Sequence, residues 1–136
     1  MILTRQPAFV LSACLAHKRM DRATLLGLSC SHREQAASGA DIATALAVLT
    51  DWAVEDGKFV RALRFRDYHQ TLAFVNAIAE IIHREDHHPE LTVSYNRCVV
   101  RYDTHSVNGG QGGLSENDFI CAAKIDDIFE HNFTTQ

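Results

Sequence analysis

The chain has 136 residues, 46% of them hydrophobic and 22% charged, with a formal net charge of −4. This length predicts one domain with a single core, and the two prolines and seven glycines exclude collagen-like, low-complexity and disordered classes. Residues 37–136 carry eight Lys and Arg against fifteen Asp and Glu. We therefore expect no direct nucleic-acid partner, and without an apolar run of about 18 residues we expect no membrane span.

The N-terminal part of the chain lacks a clear pattern. Residues 1–37 are predicted to be a variable, disordered extension, and residues 38–136 to be the folded domain. The apolar stretch after Pro7 is too short for a signal peptide. The irregular spacing of the cysteines excludes zinc-ribbon sites and predicts reduced, mostly buried thiols in a cytoplasmic protein; these are Cys14, Cys30, Cys98 and Cys121.

A helix and a hairpin are predicted first. Apolar residues recur at helical spacing over residues 39–51, which predicts an amphipathic helix whose stripe is Ile42, Ala45, Leu46, Leu49 and, just beyond it, Trp52. Residues 52–55 and 58–66 then flank Asp56-Gly57, a dipeptide that tolerates positive φ. This pattern predicts a β-hairpin.

A long helix, a second hairpin and a last helix follow. Asp67 is a suitable N-cap for a helix that ends at residue 84 or 85 and whose predicted buried stripe is Tyr68, Leu72, Val75, Ile78, Ala79 and Ile82. Two strands are predicted over residues 91–95 and 98–104, and a flexible loop over residues 108–113. Ser115 and Asp118 then form a predicted capping box for the last helix.

This order predicts an α+β domain, α-β-β-α-β-β-α, with a four-stranded antiparallel sheet and three helices packed on one face. In so small a domain an exposed sheet edge favours self-association. We therefore expect a homo-oligomer.

Three histidines are the main candidate for a site. His87 and His88 precede the third predicted strand, and His105 follows the fourth. Because the entry of one hairpin strand lies beside the exit of its partner, the three should meet at one rim. Imidazoles titrate near neutrality, which favours acid–base catalysis.

Other interpretations of these histidines stay open. His83 and His87 have the i, i+4 spacing of a helical metal-ligand pair, although no further ligands are fixed by spacing. The histidines are also compatible with an incidental, solvated helix end. Asp118 belongs to the site or merely caps the last helix.

Fragments over residues 38–130 resemble one known family in order and spacing. They are Phe65-Arg66-Asp67-Tyr68, Phe74-Val75, Ala79-Glu80, His87-His88-Pro89, Tyr95-Asn96, Thr104-His105, Gly113-Leu114-Ser115 and Asp118. Together they resemble the pterin-4a-carbinolamine dehydratase family. The resemblance implies a compact α+β subunit that assembles into dimers or tetramers, and an enzyme that needs no metal or other cofactor because the pterin is its substrate.

The implied activity is removal of water from 4a-hydroxytetrahydropterin, which gives quinonoid dihydropterin and recycles the cofactor of aromatic amino acid hydroxylases. The resemblance implies catalytic roles for His87, His88 and His105, with His87 and His105 as the proton-transfer pair and His88 chiefly binding substrate. It implies that Asp86, Thr104 and Ser106 also bind substrate, and that Asp118 orients an imidazole.

Two other functions remain open at this stage. Animal relatives also serve as a dimerisation cofactor of a transcription factor, so a non-catalytic binding module is the alternative, and a related pterin pathway is a third. The chain also departs from the family pattern. The segment between His105 and Leu114 is longer than usual, and His83 stands where the family often has glutamate.

Overall fold

The structure is a computed structural model that describes residues 20–134. Residues 1–19, with the predicted N-terminal start of the extension, the apolar stretch after Pro7 and Cys14, lie outside the described residues. The helices are α1 (Arg22–Leu26), α2 (Gly39–Val48), α3 (Tyr68–Glu85) and α4 (Glu116–Asn132), and the strands are β1 (Ala53–Glu55), β2 (Lys58–Arg64), β3 (Glu90–Ser94) and β4 (Arg97–Tyr102).

One antiparallel sheet in the order β1-β2-β4-β3 forms the centre of the fold. This confirms the predicted α+β class and its four-stranded sheet, with α1 as an additional short helix. On one face of β2 and β4 the side chains are buried against the helices; they are Phe59, Leu63, Cys98, Val100 and Tyr102. None of the helices within residues 20–134 is long and apolar enough to cross a membrane.

Local sequence signals explain where the elements begin and turn. Asp56 and Gly57 both adopt positive φ, 52° and 76°, as the tight β1–β2 turn requires. Ser38 and Ser115 form capping boxes at the starts of α2 and α4, each with an aspartate three residues later. Asp67 caps α3 by accepting from the Gln70 N–H.

The buried face of α3 differs from the predicted one. Thr71, Phe74, Ile78 and Ile81 are buried, whereas Tyr68 and Leu72, both in the predicted stripe, are 47% and 39% exposed. The helix carries apolar residues on two sides, and periodicity alone does not indicate which side the subunit covers. The α2 helix also ends earlier than predicted, at Val48 rather than residue 51.

Residues 28–37 form a strap that connects α1 to α2 across the end of α4. Its backbone is held by polar side chains: the Cys30 N–H donates to Glu85 Oε1 at 2.8 Å and the Asn117 amide donates to the Ser31 carbonyl at 2.7 Å. The Ala37 N–H donates to the Leu114 carbonyl at 2.7 Å. Over residues 20–37 the structure thus differs from the predicted disordered extension, because polar contacts without sequence periodicity hold this segment.

Candidate active site

A cleft of about 450 Å³ opens where α3 ends, between the strap and the ends of the β3–β4 hairpin. Its volume lies within the range of about 300–1,000 Å³ that small-molecule sites occupy. The predicted site residues Asp86, His87, His88, Thr104, His105 and Ser106 all line it. Pairing of Glu90 with Arg101 in the hairpin explains this convergence, because it puts the residues before β3 beside those after β4.

His87 is the most constrained of the three histidines. The chain leaves α3 through Asp86, which adopts the left-handed conformation with φ 52°, so the His87 side chain turns inward and is only 12% exposed. Its ring stacks on Tyr102 with centroids 5.1 Å apart and planes 12° apart. The Tyr102 hydroxyl also donates to the His87 carbonyl at 3.2 Å. These contacts fix the ring at the inner wall of the cleft.

Asp118 binds the His87 ring on the side away from the cleft opening. The Asp118 side chain is fully buried, and Oδ1 lies 2.6 Å from His87 Nε2. The other oxygen, Oδ2, accepts from the Thr104 hydroxyl and from the Ser115 N–H, both at 2.9 Å. The carboxylate therefore caps α4 and binds the imidazole at the same time.

The contact with Asp118 changes the acid–base behaviour of His87. Burial alone would lower the pKa of His87, but the hydrogen bond and the negative charge of Asp118 outweigh it and raise the pKa above its ordinary value of 6.5. His87 thus holds its proton more firmly than a solvated histidine. Since Nε2 is occupied by Asp118, Nδ1 is the nitrogen left for exchange with a ligand.

The raised pKa of His87 predicts a pH-dependent stability. A group whose pKa is higher in the folded state stabilises it fully below the unfolded pKa, and this contribution is lost as pH rises through the folded pKa. We expect the urea midpoint of the wild type to fall relative to that of His87→Gln as the pH rises above the ordinary histidine pKa of 6.5. A difference between the two midpoints that stays constant as the pH rises would contradict the shift.

His88 and His105 occupy the outer rim. Their side chains are 65% and 85% exposed, and each has a carboxylate nearby: His88 Nε2 lies 3.9 Å from Asp86 Oδ1, and His105 Nε2 lies 3.5 Å from Asp103 Oδ1. Asp103 is itself bound by Lys58 at 3.2 Å. Both histidines can therefore rotate towards a molecule in the cleft, whereas His87 cannot.

Thr104 and Ser106 are engaged within the protein. Thr104 is 4% exposed, and its hydroxyl lies 2.7 Å from that of Ser115 as well as donating to Asp118. The Ser106 hydroxyl donates to the carbonyl of Arg33 in the strap. These contacts favour a positioning role for both residues, with Thr104 holding Asp118 and Ser106 holding the strap.

The helical metal pair suggested by His83 and His87 does not form. Because α3 ends at Glu85 and Asp86 reverses the backbone, His87 leaves the helical face on which His83 remains exposed. Within the part of the chain that the structure describes, no group of three or more His, Cys, Asp or Glu side chains is arranged to hold a metal ion.

Several lining residues were not identified from the sequence. The strap contributes Cys30, Ser31, His32 and Arg33 to the cleft. Further lining residues are Glu85 in α3, Asp103 just after β4 and Asn117 in α4. Burial of the Glu85 carboxylate alone would raise its pKa, but Lys124 at 2.7 Å and the Cys30 N–H outweigh this and lower it. Neither periodicity nor a motif marks the strap, so no sequence signal indicated these contacts.

The glycine-rich segment after His105 is compact. Thr104 and Gly113 pair through two backbone hydrogen bonds of 2.7 and 3.2 Å, and the Asn108 side chain donates to the Gly112 carbonyl at 2.9 Å. A 3₁₀ turn, Asn108–Gly110, fills the closed loop. The segment therefore folds on itself beside the cleft and does not contribute to its lining.

Comparison with known proteins identifies a single family. Residues 35–128 match the family model described as Pterin 4 alpha carbinolamine dehydratase. A protein of Bdellovibrio bacteriovorus named putative pterin-4-alpha-carbinolamine dehydratase is 55% identical over 100 residues, 74% of this chain and 83% of that protein. A similarly named protein of Nitrosospira multiformis is 61% identical over 75 residues, 54% of this chain and 63% of that protein.

A solved structure shows the same fold. The crystal structure described as transcriptional coactivator/pterin dehydratase from Brucella melitensis superposes with a TM-score of 0.62 at 30% sequence identity. The match covers 69% of this chain and 98% of that one.

Proposed function

Because the chain belongs to the pterin 4 alpha carbinolamine dehydratase family and is therefore a dehydratase of the hydro-lyase class, we propose that it removes water from 4a-hydroxytetrahydropterin by histidine acid–base catalysis. The product is quinonoid dihydropterin. The observation that carries this proposal is the buried His87–Asp118 pair, 2.6 Å between Nε2 and Oδ1, at the inner wall of the cleft.

Loss of water from the substrate needs two proton transfers. The departing 4a-hydroxyl must gain a proton, and N5 must lose one as the double bond to C4a forms. His87 is suited to the first transfer because Asp118 raises its pKa and so favours the protonated form of the ring. The proton on Nδ1 passes to the hydroxyl, and Asp118 stabilises the ring in its required orientation.

His105 accepts the N5 proton in this mechanism. Its exposed ring is free to turn towards the cleft, where an unprotonated imidazole nitrogen can accept a proton. His88 and Asp86 at the rim bind the pterin, which needs hydrogen-bond partners for its polar ring edge. No metal or other cofactor takes part in this scheme.

The proposed activity is tested by stopped-flow measurement of 4a-carbinolamine dehydration. Wild-type protein should accelerate the reaction over buffer in proportion to its concentration, and heat-denatured protein should not. Acceleration no greater than that of denatured protein would contradict the proposal and favour a binding module. The Brucella melitensis structure is described as both a transcriptional coactivator and a pterin dehydratase.

Replacing His105 by alanine should have a moderate effect. We expect kcat to fall by roughly tenfold, because water can partly replace a solvent-exposed base. The same stopped-flow assay measures it, with His131→Ala as a control, since His131 is exposed on α4 and does not line the cleft. Equal rates for His105→Ala and the wild type would remove His105 from the mechanism.

We also propose that the chain assembles as a homodimer or homotetramer. Tyr68 and Leu72 on the outer side of α3 are exposed, and Tyr95 in the β3–β4 turn is 64% exposed. The Thr71 hydroxyl in α3 donates to the Tyr95 carbonyl and so connects the helix to this turn. The adjacent strand β3 forms an edge of the sheet. A second copy covers both through a symmetric contact.

The substitution Leu72→Asp should dissociate this assembly into smaller species, because a charge cannot be buried there without a partner. Sedimentation velocity measures the change. Ala43→Asp, which adds the same charge at an exposed position of α2, is the control and should leave the assembly intact. A monomeric wild type, or a Leu72→Asp variant that sediments like the wild type, would contradict the assembly.

Within the cell, the proposed reaction recycles the pterin cofactor of aromatic amino acid hydroxylases. These enzymes release the 4a-hydroxy compound, and the dehydratase converts it into quinonoid dihydropterin. We place the protein in the cytoplasm on this basis.

A further inference from the structure

Two thiols from distant parts of the chain meet beside His87. The Sγ atoms of Cys30, in the strap, and Cys121, in α4, lie 3.5 Å apart although 91 residues separate them in sequence. Cys30 is half-buried and lines the cleft, and Cys121 is fully buried behind it. Both are free thiols. The pair therefore lies between the cleft and the core.

The surroundings of the pair favour a shared thiolate. The hydrogen bond with Cys30 lowers the pKa of Cys121 despite its burial, and the positive charge of His87 acts in the same direction. The same hydrogen bond, together with burial, raises the pKa of Cys30. Either sulfur can be the donor. Transfer of the shared proton to Cys121 therefore places the negative charge on Cys30, the sulfur that faces the cleft. Thiolates, not thiols, react with oxidants.

Cys98 provides an internal contrast. It is fully buried in β4, and burial raises its pKa to about 11. It does not line the cleft. A mild oxidant should therefore distinguish the Cys30–Cys121 pair from Cys98.

We propose that Cys30 and Cys121 form an intramolecular disulfide in the presence of hydrogen peroxide, and that this bond fixes the strap against α4 at the wall of the cleft. The proposal rests on the geometry of the two thiols and holds independently of the dehydratase reaction. Of the two residues, Cys30 precedes residue 35, where the family match begins, and Cys121 lies within the match.

The chemistry proceeds in two balanced steps. The Cys30 thiolate attacks one peroxide oxygen, the O–O bond breaks, and hydroxide leaves, so that Cys30 becomes a sulfenic acid. The Cys121 thiolate then attacks the Cys30 sulfur and displaces its hydroxyl group. Overall, two thiols and one peroxide give one disulfide and two waters; the sulfurs are oxidised and the peroxide is reduced.

Formation of the bond requires a small movement of the strap. A disulfide has an S–S length of about 2.05 Å, so the sulfurs must approach by about 1.5 Å. The α4 helix is packed in the core through Phe119, Ile120 and Ile125, whereas the strap is held mainly by polar contacts. The strap therefore moves towards α4. Cys121 and Tyr102 influence each other's pKa, and Tyr102 stacks on His87, so the change reaches the inner wall of the cleft.

Peptide mapping of the full chain tests the bond itself. After treatment with hydrogen peroxide and digestion without reductant, the main oxidation product should be a Cys30–Cys121 cross-linked peptide that dithiothreitol removes, while Cys98 stays free for alkylation. Cys98→Ser should give the same cross-link, and Cys121→Ser should leave Cys30 as a sulfenic acid that dimedone traps. Cross-linking of Cys30 to Cys14, or over-oxidation of Cys30 without any cross-link, would overturn the proposal.

Amide hydrogen exchange tests the effect on the strap. In the oxidised protein, exchange over residues 28–37 should slow by at least about tenfold, because local opening then requires the cross-linked wall to move as a unit. The melting temperature should rise by roughly 5–15 °C, since the bond closes a long loop. Cys30→Ser, treated identically, should show neither change. Exchange rates in the strap that are equal in the oxidised and reduced wild type would contradict the second part of the proposal.

Discussion

Replacing His87 by alanine should reduce kcat for carbinolamine dehydration by roughly a hundredfold to a thousandfold, the usual contribution of a positioned acid–base group. No other histidine at the cleft can substitute for it, because the side chains of the other three are exposed and make no hydrogen bond to Asp118; these are His32, His88 and His105. KM should change less than kcat. The remaining rate would come from binding and from His105.

Two variants make this result interpretable. His87→Gln keeps an amide donor for Asp118 but cannot transfer a proton, so it should lose as much activity as His87→Ala while keeping more stability. His69→Ala is the matched control, because His69 is exposed and lies about 24 Å from the cleft end of α3 at 1.5 Å per residue. A His87→Gln variant with wild-type kcat would show that the proton does not pass through this residue.

Replacing Asp118 by asparagine should lower both activity and stability. The carboxylate accepts hydrogen bonds on both oxygens, whereas an amide has only one acceptor oxygen, so at least one buried donor among His87, Thr104 and Ser115 is left without a partner. We expect a loss of about 1–3 kcal/mol in the free energy of unfolding, measured by urea denaturation. Activity should fall by roughly 10- to 100-fold, as for other residues that orient a catalytic side chain.

The pH profile separates a positioning role of Asp118 from a merely structural one. Burial lowers the pKa of His87, and the carboxylate of Asp118 makes the largest contributions that oppose it. Without this carboxylate the pKa should fall, so the protonated form is lost at lower pH than in the wild type. The alkaline limb of the rate profile and the NMR titration of the His87 ring should both move to lower pH. Asp127→Asn, a change of a more exposed carboxylate on the same helix, should leave both in place. An unmoved His87 titration in Asp118→Asn would contradict the account.

Much of the architecture follows from local signals in the sequence. The Asp56-Gly57 turn and the caps at Asp67 and Ser115 each depend on residues close in the chain, so they were predictable. The meeting of His87 and His88 with His105 was also predictable, because antiparallel pairing alone brings these positions to one end of a hairpin.

Other features depend on contacts between distant segments, which no local pattern reveals. The sequence left Asp118 as either a cap or a site residue, and its two oxygens allow both contacts at once. The strap was predicted to be disordered because its local sequence carries no periodic pattern. In the structure Cys30 and Ser31 are held by Glu85 and Asn117, which lie far along the chain. The prediction of which side of α3 is buried was wrong because the helix has a second apolar side.

The double variant His87→Ala/His105→Ala tests the central claim most directly, in a single-turnover stopped-flow assay of 4a-carbinolamine dehydration at neutral pH. Removal of both proton-transfer groups should reduce the rate to that of the reaction in buffer, while circular dichroism still reports a folded protein. Turnover by the folded double variant at the wild-type rate would contradict the claim that these two histidines carry the reaction.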